Sequence, residues 1–297
     1  MPGLLADRVA MVTGAGRGLG RAHALALARH GARVLVNDLD ATAAEEVCRD
    51  IVRLGGDALA DCTNVQDSPA VEAMVAGALR RWGQIDILVN NAGILRDRSF
   101  AKLDLGDFRL VMEVHLMGSV HCTRAVWPHM RERGYGRVVL TTSSSGLYGN
   151  FGQTAYSAAK MALVGLMQTL ALEGERHGIR VNCLAPSAAT QMTDALWSTE
   201  ELAALDPRHV GPAVVALASE GAPSKCILLA GAGSFKLAHI TMTRGVYLPE
   251  EEQAAEQILE QWERIADRRG ELVPGKGFEQ YRFEVAQARG SPTQAKS

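Results

Sequence analysis

The segment Thr13-Gly14-Ala15-Gly16-Arg17-Gly18-Leu19-Gly20 constrains this chain more than any other. It follows a short apolar run, Val9-Ala10-Met11-Val12, and opens a helical pattern over about Leu19–His30 that Gly31 stops. A second apolar run, Arg33-Val34-Leu35-Val36, comes next, so strand, helix and strand fit within about thirty residues. Two strands joined in this way must lie parallel, because the helix carries the chain back to the same end of the sheet. Glycines at the first turn permit close approach of the main chain to a bound diphosphate. The helix that follows offers N–H donors and the positive end of its dipole.

The same rhythm continues. Helical patterns over about Ala41–Leu54, Pro69–Trp82, Asp107–Met130 and Thr154–His177 alternate with apolar runs at Asp57–Asp61, Ile85–Asn90, Arg137–Thr142 and Arg180–Leu184. A less regular segment runs to about Pro207. A helix to Ser219 and a last run, Cys226–Leu229, complete seven strands. An α/β fold is therefore predicted, doubly wound, with a seven-stranded parallel sheet covered by helices on both faces. Residues 1–235 form that domain. Residues 236–297 are read as a C-terminal helical extension, where Pro249 and Glu250, Glu251 and Glu252 open one amphipathic helix. Its apolar stripe is Ala254, Ala255, Ile258, Leu259, Trp262, Ile265 and Ala266.

Composition narrows the function classes. A formal charge of −2 gives no footprint for nucleic acid or an anionic membrane surface. No apolar run is read as a membrane span, and no secretory h-region opens the chain. The final residues, Gln294-Ala295-Lys296-Ser297, do not match the peroxisomal address Ser-Lys-Leu. Five cysteines without paired spacing read as thiols in a reducing compartment, and the eight histidines show no metal-ligand spacing. A cytoplasmic protein without a bound metal is expected.

Chemistry concentrates in Ser143–Lys160. Ser143 follows an apolar run at the carboxyl end of a strand, where open α/β sheets place their ligands. Tyr156 and Lys160, four residues apart on a helix, share one face. A hydroxyl, a phenol and an ammonium meeting there can hold one oxygen and move one proton. Asp38 ends the second strand about twenty residues beyond the glycine loop. A carboxylate there accepts from ribose hydroxyls and repels a 2′-phosphate, which favours NAD over NADP. Arg17 pulls the other way, since a cation in the loop can meet that phosphate. Asp61, ending the third strand, is a candidate acceptor for the adenine amino group and equally an ordinary turn residue.

Together, Thr13-Gly14…Gly18…Gly20, Asn90-Asn91-Ala92-Gly93 and Ser143 with Tyr156 and Lys160 resemble the short-chain dehydrogenase/reductase family over roughly residues 4–235. Asn91–Phe100, Tyr148–Gln153 and Val36-Asn37-Asp38-Leu39 are similar to a narrower group within it, the (3R)-hydroxyacyl-CoA dehydrogenase domains of peroxisomal multifunctional enzymes. The resemblance implies a Rossmann-like fold and an NAD-dependent oxidoreductase that interconverts a secondary alcohol and a ketone. Tyr156 would be the general base, Lys160 would favour its phenolate, and Ser143 would hold the reacting oxygen. Gly14, Arg17, Gly18, Leu19, Gly20, Asp38, Asp61, Asn91, Ala92, Gly93, Pro186, Ala189 and Thr190 would line the cofactor, with Tyr156 and Lys160.

Two departures stand out. His115 occupies the position where many members carry an asparagine that supports the lysine through water, and so becomes a candidate catalytic residue. Pro186-Ser187 replaces the usual Pro-Gly. Met192, Leu196, Trp197 and Leu202 suggest an apolar lid, or simply packing. The expected substrate is a small molecule, a (3R)-3-hydroxyacyl-CoA with an acyl chain that can be steroid-derived. Alternatives are a hydroxysteroid or other lipophilic alcohol and, in another class, a non-catalytic dinucleotide-binding sensor or scaffold. The helices at Asp107–Met130 and Thr154–His177 imply, by the same resemblance, a homodimer or homotetramer.

Overall fold

A computed structural model describes residues 3–189, 198–249 and 253–290. The chain alternates β1 (Val9–Thr13), α1 (Gly18–Arg29), β2 (Arg33–Asn37), α2 (Ala41–Arg53), β3 (Ala58–Asp61), α3 (Ser68–Trp82) and β4 (Ile87–Asn90). It continues with α4 (Leu105–Met112), α5 (Gly118–Arg133), β5 (Gly136–Thr141), α6 (Ser144–Tyr148), α7 (Thr154–Gly174) and β6 (Ile179–Ser187). Then come α8 (Thr199–Ala204), α9 (Gly211–Ala218), β7 (Ile227–Gly231) and β8 (Ser234–Ala238). The strand order is β3-β2-β1-β4-β5-β6-β7-β8, and every pairing up to β7 is parallel. The order reverses beside β1, which leaves a crevice at the carboxyl ends of β1 and β4.

Strand pleating divides the core. Ala10, Val12, Val34, Val36, Val89 and Val139 pack with α1, α2 and α9 on one face. Met11, Leu35, Leu88, Val138 and Leu140 pack with α3, α5 and α7 on the other. Successive residues point to opposite faces, and both faces are covered, so the strands read as continuous apolar runs. By length and composition alone, Thr154–His177 is long and apolar enough to cross a membrane. In this fold it lies against β6 and buries Ala159, Lys160, Leu163, Val164 and Met167.

The sheet has eight strands, not the seven expected. β8 pairs antiparallel with β7 through a two-residue turn in which Ala232 (φ 49°) and Gly233 (φ 72°) are both left-handed. That geometry matches the right-handed twist of a hairpin, but alanine is not its usual first residue. The tight turn therefore read as the end of the alternation. The helix expected over Asp107–Met130 is also interrupted, by a π-turn at Glu113–Met117.

The chain divides into two compact units between Ala238 and His239. In the second, the run expected as one helix forms α10 (Ala254–Glu260) and α11 (Trp262–Ile265), and α12 (Phe278–Ala288) was not anticipated. A Met242–Leu272 bridge and a bond from Thr243 Oγ1 to the Ile265 carbonyl hold this unit together. Glu250, Glu251 and Glu252 lie outside the described residues.

One core residue makes the fold acid-sensitive. His23 on α1 is fully buried, its ring nitrogens have no partner, and burial lowers its pKa to about 4. An unfolded chain takes up this proton below its ordinary value of 6.5, whereas the folded chain resists until about 4. Stability from this residue is therefore present above pH ~6.5 and falls as pH drops toward 4. Urea titrations should show about 2 kcal/mol less stability at pH 5 than at pH 7 from this group. His23→Phe should flatten that slope.

Candidate active site

The glycine loop is built by contact with the end of β4. Asn91 Nδ2 donates to the carbonyls of Thr13 (3.1 Å) and Gly14 (3.0 Å), while Thr13 Oγ1 accepts from the N–H groups of Asn91 (3.0 Å) and Ala92 (3.1 Å). These bonds cross β1 and β4 at the switch point. A Cβ on Gly20 would stand 2.0 Å from the Gly14 oxygen, and one on Gly14 (φ 60°) would stand 2.8 Å from Ala92 Cα. Leu19 and Gly20 lie in the first turn of α1, and Arg17 is its N-cap residue without a side-chain cap bond. A diphosphate suits this loop, whose glycines let the main chain pack closely against the end of β4 and lead into the N-terminus of a twelve-residue helix.

Asp38, just past β2, accepts from Gly16 N–H at Oδ2 (2.8 Å) and from Asp40 N–H at Oδ1 (3.0 Å). Asp40 caps α2 through Ala43 N–H and forms an ion pair with Arg17. Asp61 accepts from Thr63 N–H (2.8 Å) and from Asn37 Nδ2 (3.4 Å), the pattern of a residue closing its own turn. Pro186 sits in β6, and Ala189 N–H donates to the Leu205 carbonyl (2.7 Å). Thr190, Met192, Leu196 and Trp197 lie outside the described residues.

Ser143, Tyr156 and Lys160 converge at the carboxyl end of β5. Ser143, 9% exposed, caps α6 by accepting from Ser145 N–H (3.2 Å). Tyr156 is half-buried one turn before Lys160. Burial pushes the phenol above its ordinary pKa, a hydrogen bond with Ser143 lowers it, and the Asp97 charge raises it. Lys160 Nζ is buried, donates to the Thr141 carbonyl (2.6 Å), and lies 5.5 Å from the Tyr156 ring centroid. Burial draws its pKa down to about 7, so near neutral pH it is only partly protonated. The four-residue spacing puts both side chains on one face of α7, and the bond to Thr141 fixes Nζ beneath the ring.

His115 stands edge-on to Tyr156, ring centroids 5.2 Å apart. Its Nε2 faces both the N–H (3.0 Å) and the carbonyl (2.8 Å) of Ile94, so either tautomer is held. Burial and the nearby Lys160 lower its pKa to about 3, against a smaller opposing effect of the Ile94 bond. Near neutral pH the imidazole is therefore uncharged, and its Nε2 holds the Ile94 main chain. It is brought here by the π-turn, which places an extra residue in the helical register. Gly93 makes room for it, since a Cβ there would stand 2.3 Å from Cε1.

Three polar side chains beside the site were not anticipated from the sequence. Ser145 Oγ donates to Gln153 Oε1 (2.8 Å), and Gln153 Nε2 donates to Asp97 (2.8 Å). A bridge between Arg98 and Gln153, with Arg98 N–H donating to the Gly152 carbonyl (2.8 Å), ties Asn91–Phe100 to Tyr148–Gln153. The signal for Asp97 and Gln153 was their presence in those two segments, whereas Ser145 lies outside both; the pairing of Asp97 with Gln153, fifty-six residues apart, was not visible.

A doubly wound sheet with this glycine loop and a serine, tyrosine and lysine at one strand end defines a class of oxidoreductases acting with a dinucleotide. The chain belongs to the short chain dehydrogenase family, whose pattern matches residues 8–201. It is 43% identical over 272 residues to the peroxisomal multifunctional enzyme type 2 of Mus musculus, an alignment covering 88% of this chain and 37% of the mouse protein. The full-length Drosophila melanogaster enzyme of the same name superposes with a TM-score of 0.82 at 34% identity, covering 96% of this chain and 50% of the fly chain. A solved 7α-hydroxysteroid dehydrogenase, complexed with NADH and 7-oxo glycochenodeoxycholic acid, gives a TM-score of 0.73 at 31% identity, covering 78% of this chain and 96% of its own. This chain thus spans about a third of the mouse protein and half of the fly chain.

Proposed function

We propose that this oxidoreductase uses NAD to interconvert a secondary alcohol and a ketone, and that its preferred substrates are (3R)-3-hydroxyacyl-CoA thioesters. The observation that carries the reading is the joined pair of segments Asn91–Phe100 and Tyr148–Gln153 beside Tyr156, the stretches most like the hydroxyacyl-CoA group. The identity with the mouse multifunctional enzyme supports it. Asp38, with both oxygens held by main-chain N–H groups and no cation bonded to it, supports NAD.

A bound nicotinamide dinucleotide supplies the hydride acceptor. The remaining work belongs to the chain. Ser143 positions the substrate oxygen and donates to the charge that develops on it. Tyr156, as phenolate, takes the hydroxyl proton, and Ser143 lowers the cost of that phenolate. Lys160, tethered to Thr141, places positive charge beneath the ring as it protonates. His115 and Gly93 hold the Ile94 main chain that borders the site. Asp97 opposes the phenolate. Asp97→Asn should therefore shift the rising limb of the alcohol-oxidation pH profile to lower pH by a few tenths of a unit; an unmoved profile would contradict this role.

The test is reduction of NAD by purified protein with a panel of 3-hydroxyacyl-CoAs of both configurations. Oxidation of the 3R thioesters alone is expected. A hydroxysteroid oxidised in preference to every thioester would favour the second reading, which the bile-acid dehydrogenase likeness supports. Binding of NAD without oxidation of any alcohol would favour a sensor or scaffold. A cytoplasmic homodimer or homotetramer using α5 and α7 is part of the same proposal, and sedimentation showing only monomer at micromolar concentration would remove it.

A further inference from the structure

We propose that Asp40 sets the dinucleotide preference of this enzyme by holding Arg17 in an ion pair, so that the loop's cation is withheld from a 2′-phosphate. The inference rests on the cofactor reading above and assigns a residue that the sequence did not single out.

Three side chains of fixed charge meet where β2 ends and α1 begins. Asp38 is oriented by Gly16 N–H and Asp40 N–H. Gly16 is pressed against it, since a Cβ there would lie 2.9 Å from the Asp38 carboxylate. Arg17, on the loop itself, pairs with Asp40 Oδ2. The other oxygen of Asp40 accepts from Ala43 N–H (3.1 Å), so α2 fixes the carboxylate's direction. An ordinary surface pair has two mobile partners and contributes little. Here one partner is anchored by a helix cap, and only the arginine must be immobilised.

The charge count decides the consequence. Asp38 and Arg17 alone would sum to zero beside the adenosine ribose, and a free guanidinium could meet a phosphate in bidentate fashion. With Asp40 the sum is −1, and Nη2 of Arg17 is held by the Asp40 carboxylate. A 2′-phosphate of charge near −2 then meets net repulsion and a guanidinium already turned to Asp40, whereas a 2′-hydroxyl is indifferent to the count. Asp38 alone therefore does not account for the preference; Asp40 acts through Arg17 and is a positioning residue.

The test compares the full chain with Asp40→Asn, Arg17→Ala and the double variant, titrating NADH and NADPH by calorimetry. Asparagine keeps the helix cap while removing the charge. Asp40→Asn should tighten NADPH roughly five- to tenfold relative to NADH, a gain that shrinks in high salt. The gain should vanish in the Arg17→Ala background. An unchanged NADPH-to-NADH ratio overturns the proposal, as does an equal gain without Arg17, which would show a direct field of Asp40. Wild-type protein that binds neither dinucleotide, or binds NADPH more tightly, overturns the cofactor reading itself, a result distinct from NADH binding with an indifferent Asp40→Asn.

Discussion

Replacing Tyr156 with phenylalanine is expected to lower turnover at least about a thousandfold, roughly 4 kcal/mol of barrier, while dinucleotide binding persists. The phenol pairs with Ser143 in the site, and His115, whose pKa burial lowers to about 3, is too weak a base to replace it. The ring remains in the variant, so the edge contact with His115 and the packing of α7 are kept. Rates under saturating cofactor and substrate, beside a calorimetric cofactor titration, make the measurement. Residual activity within tenfold of wild type would show that another residue takes the proton. Lys160→Met should be nearly as damaging, because Nζ is both the buried charge beneath the ring and the donor to Thr141 at the end of β5.

Gly20→Ala should produce the second large loss, at the cofactor. The new methyl would stand 2.0 Å from the Gly14 carbonyl oxygen and 2.6 Å from Asn91 Nδ2, so the main chain itself must move. Displacing Asn91 breaks its bonds to Thr13 and Gly14, which join β1 to β4 beneath the diphosphate position. We expect dinucleotide affinity to fall at least about tenfold and folding stability to drop by about 1–3 kcal/mol. Gly165→Ala is the control. It lies exposed within α7, nothing approaches its added methyl within 4 Å, and the change should be neutral or mildly stabilising. Equal cofactor loss in both variants would mean that the loop fit described here is wrong.

Legibility followed distance along the chain. β1, α1 and β2 could be read because their signals are local: an apolar run, glycines, then a helical period. Ser143, Tyr156 and Lys160 were legible because a stretch of eighteen residues holds all three on consecutive elements. β8 was missed because its turn depends on a left-handed alanine, which composition does not announce. The π-turn was missed for a similar reason, since five residues of wider helix keep an ordinary helical pattern. Asp97, Ser145 and Gln153 carried no signal separately, because their meaning is a mutual hydrogen-bond chain.

The weighing of Arg17 against Asp38 shows the same limit. As residues in a string, one cation and one carboxylate gave opposing arguments about a 2′-phosphate. In the fold, Arg17 is already paired with Asp40, and the local charge moves from zero to −1. Lys160 is expected to favour the Tyr156 phenolate; that its Nζ bonds Thr141 and that burial lowers its proton affinity are visible only in the fold.

By itself, then, the sequence determined the mostly parallel α/β architecture, the glycine turn after β1 and the gathering of Ser143, Tyr156 and Lys160 at one strand end, all of which arise from periodicity and residues close in the chain. Tertiary structure alone decided which charges are cancelled, which proton affinities shift, and which distant segments border the site. Those properties depend on burial and on hydrogen bonds between strands and loops far apart in the chain, and no spacing rule along a single strand or helix encodes them.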